Sequence, residues 1–429
     1  GESGGWRSFE IHLQREKILG PWGKREQQRK ELTEMEKLAR ELQTAEAFAR
    51  FYNRQMNFFQ SISQPNKVLE IFDKAWQAAQ KTGDPERMAE TLRLKARTLN
   101  EIGENTEALD VLRKARALRP AEEQKSEVWG WVWHIEGNVL LYRGNYKRAV
   151  AAYTKAREIY KRLGLKRQEG TILNNMGFVS LNLGRFEEAI QYLKASSKID
   201  VELGNRSLLG VKLSNLGQVY CALGLLDKAM RHLLKAEELC VSVHDASYQA
   251  DAVISIGQVH LARGNAEAAF SEFKRALKLS EQADSRYDIV RTQIYLASAM
   301  IQGAGSLKDA HALATEAARL SQESHMPQGE IFGQSVGARA LLSMGKVQEA
   351  LGLSAQAVAR MSTCGHVAER EVVMYNHAMI LVAAQRTEAA RPYMENALQE
   401  VHRKRDLIST EELKKSYLAV PPARDIIRD

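Results

Sequence analysis

Apolar residues along this chain recur at alternating three- and four-residue spacings, and glycines interrupt the pattern at regular intervals. That spacing winds into one stripe of an α-helix, so each interrupted stretch predicts two amphipathic helices joined by a turn. Aligning EGNVLLYRGNYKRAVAAYTKA, NMGFVSLNLGRFEEAIQYLKA, NLGQVYCALGLLDKAMRHLLKA and SIGQVHLARGNAEAAFSEFKRA places Gly137, Gly177, Gly217 and Gly257 in one column, 40 residues apart. Gly144, Gly184, Gly224 and Gly264 form a turn column, and Ala149, Ala189, Ala229 and Ala269 a third. The third continues forward through Ala310, Ala350 and Ala390, with one residue inserted in the Gly303-Ala304-Gly305 turn, and backward through Ala108 and Val68. Seven residues after each member stands another small residue: Ala75, Ala115, Ala156, Ser196, Ala236, Ala276, Ala317, Ala357 and Ala397. Nine units are visible.

Small residues in fixed columns let paired helices approach closely, while Tyr153, Leu193, Leu233 and Phe273 are expected to fill the space between neighbouring units. One helix pair cannot bury its apolar face alone, whereas a stack of pairs builds a continuous core. The reading is an all-α solenoid with an N-terminal helical lead-in over 1–49, repeats over 50–408, and a capping helix and tail over 409–429.

Composition adds exclusions. Of 429 residues 44% are hydrophobic, and 61 basic against 53 acidic residues leave a net charge of +8, which excludes a disordered or collagen-like chain. Cys221, Cys240 and Cys364 lie far apart without CxxC or Cys/His spacing, so neither a disulfide framework nor a zinc site is expected, and a reducing, cytoplasmic setting is. There is no run of 18 apolar residues and no signal-peptide pattern. The chain opens with Gly, and GESGG reads as a cloning scar or the cut end of something longer, so a fragment of a larger protein is expected.

The columns resemble the tetratricopeptide repeat family, whose unit has a small residue in its first helix, a glycine turn and two alanines in its second. The resemblance covers roughly residues 50 to 400 and implies a right-handed superhelix. The family's usual period is about 34 residues, so 40 means helices longer by one to two turns per pair. Such longer units resemble those of bacterial STAND-type signalling ATPases, of some bacterial Ser/Thr kinases, and of kinesin-light-chain-like and mitotic-spindle adaptors. REKILGPWGKREQQRKELTEMEKLARELQ (15–43) resembles the helical segment that follows the ATPase in the bacterial proteins. LKKSYLAVPPARDI (413–426) is similar to the Arg-x-Ser-Phe-Leu-x-x-Val-Pro ending that closes such chains, with Lys in place of Arg and Tyr417 in place of Phe. The same tail also reads as an ordinary capping helix.

No catalytic constellation emerges. GPWGKRE lacks the spacing of a phosphate loop, no HExxH, GxSxG or kinase motif is present, and the histidines, among them His134, His232, His244, His260, His325 and His377, are scattered and expected to be exposed or hydrogen-bonded. The expectation is a non-enzyme without cofactor or metal.

The resemblance also implies that first helices line a concave groove. With Gly137 at the eighth position of the family unit, groove positions two, five, nine and thirteen become Trp131, His134, Asn138 and Tyr142, then Thr171, Asn174, Phe178 and Asn182. The following units give Val211, Ser214, Gln218 and Ala222, then Asp251, Ile254, Gln258 and Ala262. This surface is neutral and amide-rich, without the lysines by which the family's chaperone-tail binders clamp a carboxylate. Asn138, Asn175 and Asn215 suit bidentate contacts to an extended peptide backbone, although Asn175 and Asn215 suit buttressing of a neighbouring helix equally. In Trp129-Gly130-Trp131-Val132-Trp133, Trp129 and Trp133 share a face and Trp131 points roughly 160 degrees away, so Trp133 is expected in the core and Trp131 in the groove. Basic residues concentrate from Arg143 to Arg167 and again in His402-Arg403-Lys404-Arg405, where a solvated surface is expected before an acidic partner, nucleic acid or lipid.

The resemblance implies a sensor and scaffold in bacterial signal transduction, taking a protein, peptide or small effector along its groove, with its own upstream NTPase or kinase domains among the partners. A freestanding adaptor for partner peptides is the alternative, and a nucleic-acid binder the third.

Overall fold

The computed structural model describes residues 2–20, 22–364 and 367–428, and among them the ordered elements are all helices. They fall into two compact units, Gly1–Tyr142 with Lys147–Gly164, and Arg143–Tyr146 with Leu165–Asp429.

The first unit holds α1 (Glu2–Leu19), α2 (Arg25–Leu42), α3 (Ala45–Ser61), α4 (Pro65–Thr82), α5 (Pro85–Glu101), α6 (Asn105–Arg116), α7 (Glu127–Tyr142) and nearly all of α8 (Tyr146–Arg162). The second holds α9 (Lys166–Asn182), α10 (Phe186–Glu202), α11 (Arg206–Ala222), α12 (Leu226–Ser242), α13 (Ala246–Ala262), α14 (Ala266–Gln282) and α15 (Arg286–Ala299). It continues with α16 (Leu307–Glu323), α17 (Pro327–Ser343), α18 (Val347–Thr363), α19 (Arg370–Ala383), α20 (Thr387–Asp406), α21 (Glu411–Leu418) and α22 (Ala423–Arg428). Helices start where a side chain accepts an otherwise unpaired N–H: Asp84 caps α5, Asn205 caps α11, Asp245 caps α13 and Asn265 caps α14. They stop where the backbone turns left-handed, as at Gly184 (φ 73°) and Gly224 (φ 74°).

All eighteen members of the two alanine columns, from Val68 to Ala397, are buried. The glycine column is explained by a close approach. A Cβ on Gly137 would lie 2.4 Å from Tyr153, and one on Gly217 2.5 Å from Leu233. Tyr153, Leu193, Leu233 and Phe273 each fill a notch in the first helix of their own unit, and Phe273 also reaches the next unit, stacking on Tyr295 at 5.7 Å. The residue inserted near Gly303 is absorbed as a wider π-type turn, Met300–Ala304, in which Gly303 takes φ 113°.

Within each unit first helices pack side by side, α3 on α5 and α5 on α7 in one, α11 on α13 through to α17 on α19 in the other. Second helices pack on the first helices before and after them. The first-helix row is thus the tighter, inner row, and its uncovered side is concave. In the second unit the chain end returns to the repeats. Phe186 of α10 meets the Tyr417 ring at 5.6 Å, Arg403 donates to the Leu183 carbonyl at 3.1 Å, and Ser409 bonds the Glu187 carboxylate. Tyr417, Ala423 and Ile426 join the core formed by Phe186, Leu216 and Leu223.

Candidate functional site

In the first unit the inner face is built by α3, α5 and α7. Trp131 is half-buried, donates from Nε1 to Glu127 at 3.2 Å, and stacks on His134 with centroids 5.1 Å apart. His134 is not at the surface: it is 4% exposed beneath that indole, and burial together with Arg97 and Arg93 pulls its pKa down to about 3, so the imidazole is neutral. Asn138 accepts from the Tyr153 hydroxyl at 2.8 Å, and Tyr142 is exposed. Trp129 is fully buried, whereas Trp133 is half-buried, donating to Gln124 at 2.9 Å with the Arg116 guanidinium 4.8 Å from its ring.

Carrying the groove columns two units further back reaches residues that the count from Gly137 did not. Arg93 and Arg97 occupy positions five and nine of α5, and Asn53 and Asn57 the same positions of α3. Arg97 pairs with Glu101 at 2.9 Å and Arg54 with the buried Glu16 at 2.5 Å. Beside them lies a cavity of about 320 Å³ lined by Lys17, Gly20, Arg25, Gln28, Arg54, Asn57, Ser61 and Arg97. This end of the inner face is cationic. The missed signal was the arginine pair at a four-residue spacing in a unit whose column residue is alanine, Ala96, instead of glycine.

In the second unit the inner face is a polar ladder. Asn215 donates to Asn174 Oδ1 at 2.8 Å across helices, Ser214 donates to Asp251 at 2.6 Å, and Gln218 donates to Ser255 at 3.1 Å. Arg291 closes the ladder on Asp251 at 2.7 Å, its guanidinium lying 5.5 Å from the ring of the exposed Tyr287. Desolvation and Asp251 both act on Arg291, and the carboxylate wins, so its pKa rises. Asn182 donates to its own helix at Phe178 O, and Asn174, Asn175, Phe178 and Gln258 are half-buried. Asn174 and Asn215 thus form one pair, in which Asn215 braces a neighbouring first helix, and Gln218 belongs to a second set with Ser214, Asp251, Ser255 and Arg291.

Buried ion pairs hold this unit: Lys212 with Asp200 at 3.3 Å, and Lys404 with Glu371 at 2.5 Å. Lys404, expected on a solvated basic surface, is buried because α20 ends against the turn at Gly184. Burial pushes the Cys221 thiol up to about 12 and the Cys240 thiol to about 11, which leaves both as protonated core groups. Among the described residues no group of three or more His, Cys, Asp or Glu is gathered to hold a metal ion, and no helix is long and apolar enough to cross a membrane.

A family model described as tetratricopeptide repeat matches residues 130–202, 168–242 and 208–282. No curated protein sequence matches the chain. Among solved structures the chain is similar to a Rap protein complexed with competence and sporulation factor, at 11% identity and TM-score 0.63, covering 84% of this chain and 99% of that one. It is similar also to the Rap conjugation gene regulator of plasmid pLS20 in complex with the Phr* peptide (11% identity, TM-score 0.56, 85% and 96% covered). A third is the apo quorum sensor NprR of B. thuringiensis (13%, 0.54, 81% and 97%). These identities establish a shared fold. The chain is an all-α solenoid of helix pairs, and its segments from residue 130 to residue 282 match the tetratricopeptide repeat model.

Proposed function

We propose that this tetratricopeptide-repeat chain is a non-catalytic scaffold that binds an extended peptide, or a protein segment, along its first-helix faces. The observation that carries the reading is the inner face of the second unit. There the first helices leave the half-buried amides of Asn174 and Gln218, and further along the row the exposed Tyr287 ring with the Arg291 guanidinium 5.5 Å from it. Amides that donate and accept at once match a peptide backbone, and a rigid aromatic beside them supplies apolar contact at low entropic cost. Two proteins of the same fold are described in complex with a factor or peptide, which supports the same use of the face here. The setting we propose is bacterial signal transduction, the solenoid acting as effector sensor for upstream NTPase or kinase domains.

The test is panning of a displayed random peptide library on the immobilised chain. Selected peptides should lose about tenfold in affinity on Tyr287→Ala, an exposed position whose truncation leaves the fold intact. Selection of no peptide, or of peptides indifferent to Tyr287→Ala and Gln218→Ala together, would reject the reading.

A further inference from the structure

GPWGKRE lacks the spacing of a phosphate loop, yet the turn it forms between α1 and α2 borders the cavity of about 320 Å³. Lys17, Arg25 and Gln28 line that cavity from the lead-in pair α1 and α2, Arg54 and Asn57 line it from α3, and Arg97 from α5. Four cations from four helices thus face one space, and no described carboxylate lines it. Their positions are set by a buried relay. Glu16 is fully buried, and its two oxygens accept from Arg54 at 2.5 Å and from Gln28 Nε2 at 2.6 Å. Gln28 is itself buried, and its Oε1 accepts from Arg25 at 2.9 Å. One carboxylate and one amide therefore orient two guanidinium groups on different helices, as a preorganised site requires. A Cβ on Gly20 would lie 3.3 Å from Gln28 Nε2, so the turn closes tightly against the relay.

The charges do not balance within the protein. Glu16 offsets Arg54 and Glu101 offsets Arg97, whereas Lys17 and Arg25 make no ion pair among the described residues. The Glu16–Arg54 pair suffices to tie α1 to α3. It gives no reason for two further cations at the same rim, where each raises the electrostatic cost of the others, and an anion occupying the space does. Two uncompensated charges call for a dianion. Cations converging from four helices suit the tetrahedral oxygens of a phosphoryl group, which guanidinium forks bond in pairs and an ammonium meets as a point charge. Asn57 keeps one amide N–H beyond its bond to the Asn53 carbonyl at 2.9 Å. A water takes about 30 Å³ in the liquid, so the cavity has room for a phosphoryl group and a small organic portion besides.

We propose that the cavity beside the α1–α2 turn binds a small phosphorylated molecule, its phosphoryl group held by Lys17 and Arg25 of the lead-in pair together with Arg54 and Arg97. The site lies within the first unit and is independent of the peptide-binding face of the second.

The test is calorimetric titration of the full chain with inorganic pyrophosphate, with citrate as a polycarboxylate of similar charge and a single-stranded DNA oligonucleotide as a polymer of phosphates. Pyrophosphate should saturate a single site, and citrate and the oligonucleotide should each bind at least about tenfold more weakly. The double variant Lys17→Gln, Arg25→Gln should lose at least about tenfold in affinity for pyrophosphate. Lys114→Gln with Lys147→Gln, which lowers the net charge equally on exposed positions away from the cavity, should lose nothing. If the first double variant fails to fold, Lys17→Gln decides, being exposed and without an ion pair, with an expected loss of about threefold. No saturable binding by the original chain overturns the proposal, and so does equal binding by the deciding variant or an equal loss in the charge-matched control. Citrate or the oligonucleotide binding as tightly as pyrophosphate overturns it too. Library peptides sensitive to Tyr287→Ala would survive each of these results, so the two readings fail separately.

Discussion

The two units use one repeat and treat a buried cation in opposite ways. In the second, Lys404 is packed against the Gly184 turn and paired with Glu371, both side chains under a tenth exposed. In the first, Arg93 is nearly as buried and has nothing closer than Glu90 at 3.8 Å. Lys404 is thus held by a close pair, whereas Arg93 is held only by a long one. The sharpest way to break this comparison is Glu371→Gln, which strands Lys404. It should cost about 3 kcal/mol, read as faster hydrogen exchange in α19 and α20, while Arg93→Met leaves the melting temperature no lower. A cost below about 1 kcal/mol for Glu371→Gln would erase the distinction.

The second unit also differs in being closed by its own chain end, and a matched pair of glycines isolates that contact. Gly224 and Gly264 hold the same turn in successive repeats at φ 74° and 76°. A Cβ on Gly224 would sit 2.2 Å from the Ser416 carbonyl oxygen, whereas one on Gly264 meets nothing within 4 Å. Gly264→Ala should cost about 1 kcal/mol for the left-handed backbone alone. Gly224→Ala should cost a further 1–3 kcal/mol or so and free α21 and α22 to limited proteolysis. Equal costs would show that the chain end contributes little to the unit.

These contrasts were unequally visible in the sequence. The alanine columns were legible because each repeat must solve the same helix-packing problem, so the solution recurs at a fixed spacing, and even the residue added at Gly303 kept the register on both sides. The return of Tyr417 onto Phe186 was not, because it joins positions more than two hundred residues apart and happens once, leaving no period to detect. His134 was placed correctly on its helix, but its burial depends on the Trp131 indole lying flat over it, which helix geometry alone does not specify. Arg93 was legible in principle as position five of an earlier unit, and was passed over because the count began where the glycines begin.

Titration separates the units more gently. His134 of the first unit has a folded pKa near 3 against about 6.5 in an unfolded chain. Between these values only the unfolded state takes up the proton, so the stabilisation is complete above pH 6.5 and is lost as pH falls towards 3. From pH 7 to 5.5 the first unit should lose about 1 kcal/mol through this residue, and His134→Phe should flatten that slope. His377 in the second unit is also shifted down by burial, with its Nδ1 2.8 Å from Ser354 Oγ, so the comparison must be made unit by unit, by hydrogen exchange in α7 and in α19. An unchanged slope in α7 after His134→Phe would mean that another group controls the acid response.

The smallest effect lies at the turns from one repeat to the next. The first unit places Gly83 and Gly164 there at φ 68° and 69°, and the second begins with Gly204 at 65° but continues with His244, Asp284 and His325 at 54°, 50° and 52°. Residues with a Cβ pay a steric cost in this region that glycine avoids, partly offset by glycine's greater freedom in the unfolded chain. His244→Gly should therefore stabilise the second unit by about 0.5 kcal/mol, and Gly204→Ala should destabilise it by about 1 kcal/mol. The turn at His244 carries an N-cap directly after it, Asp245 accepting from Tyr248 N at 3.1 Å, so the substitution leaves the start of α13 untouched and the gain reads the backbone alone. A loss of stability on His244→Gly would show that the imidazole makes a contribution larger than the strain it imposes.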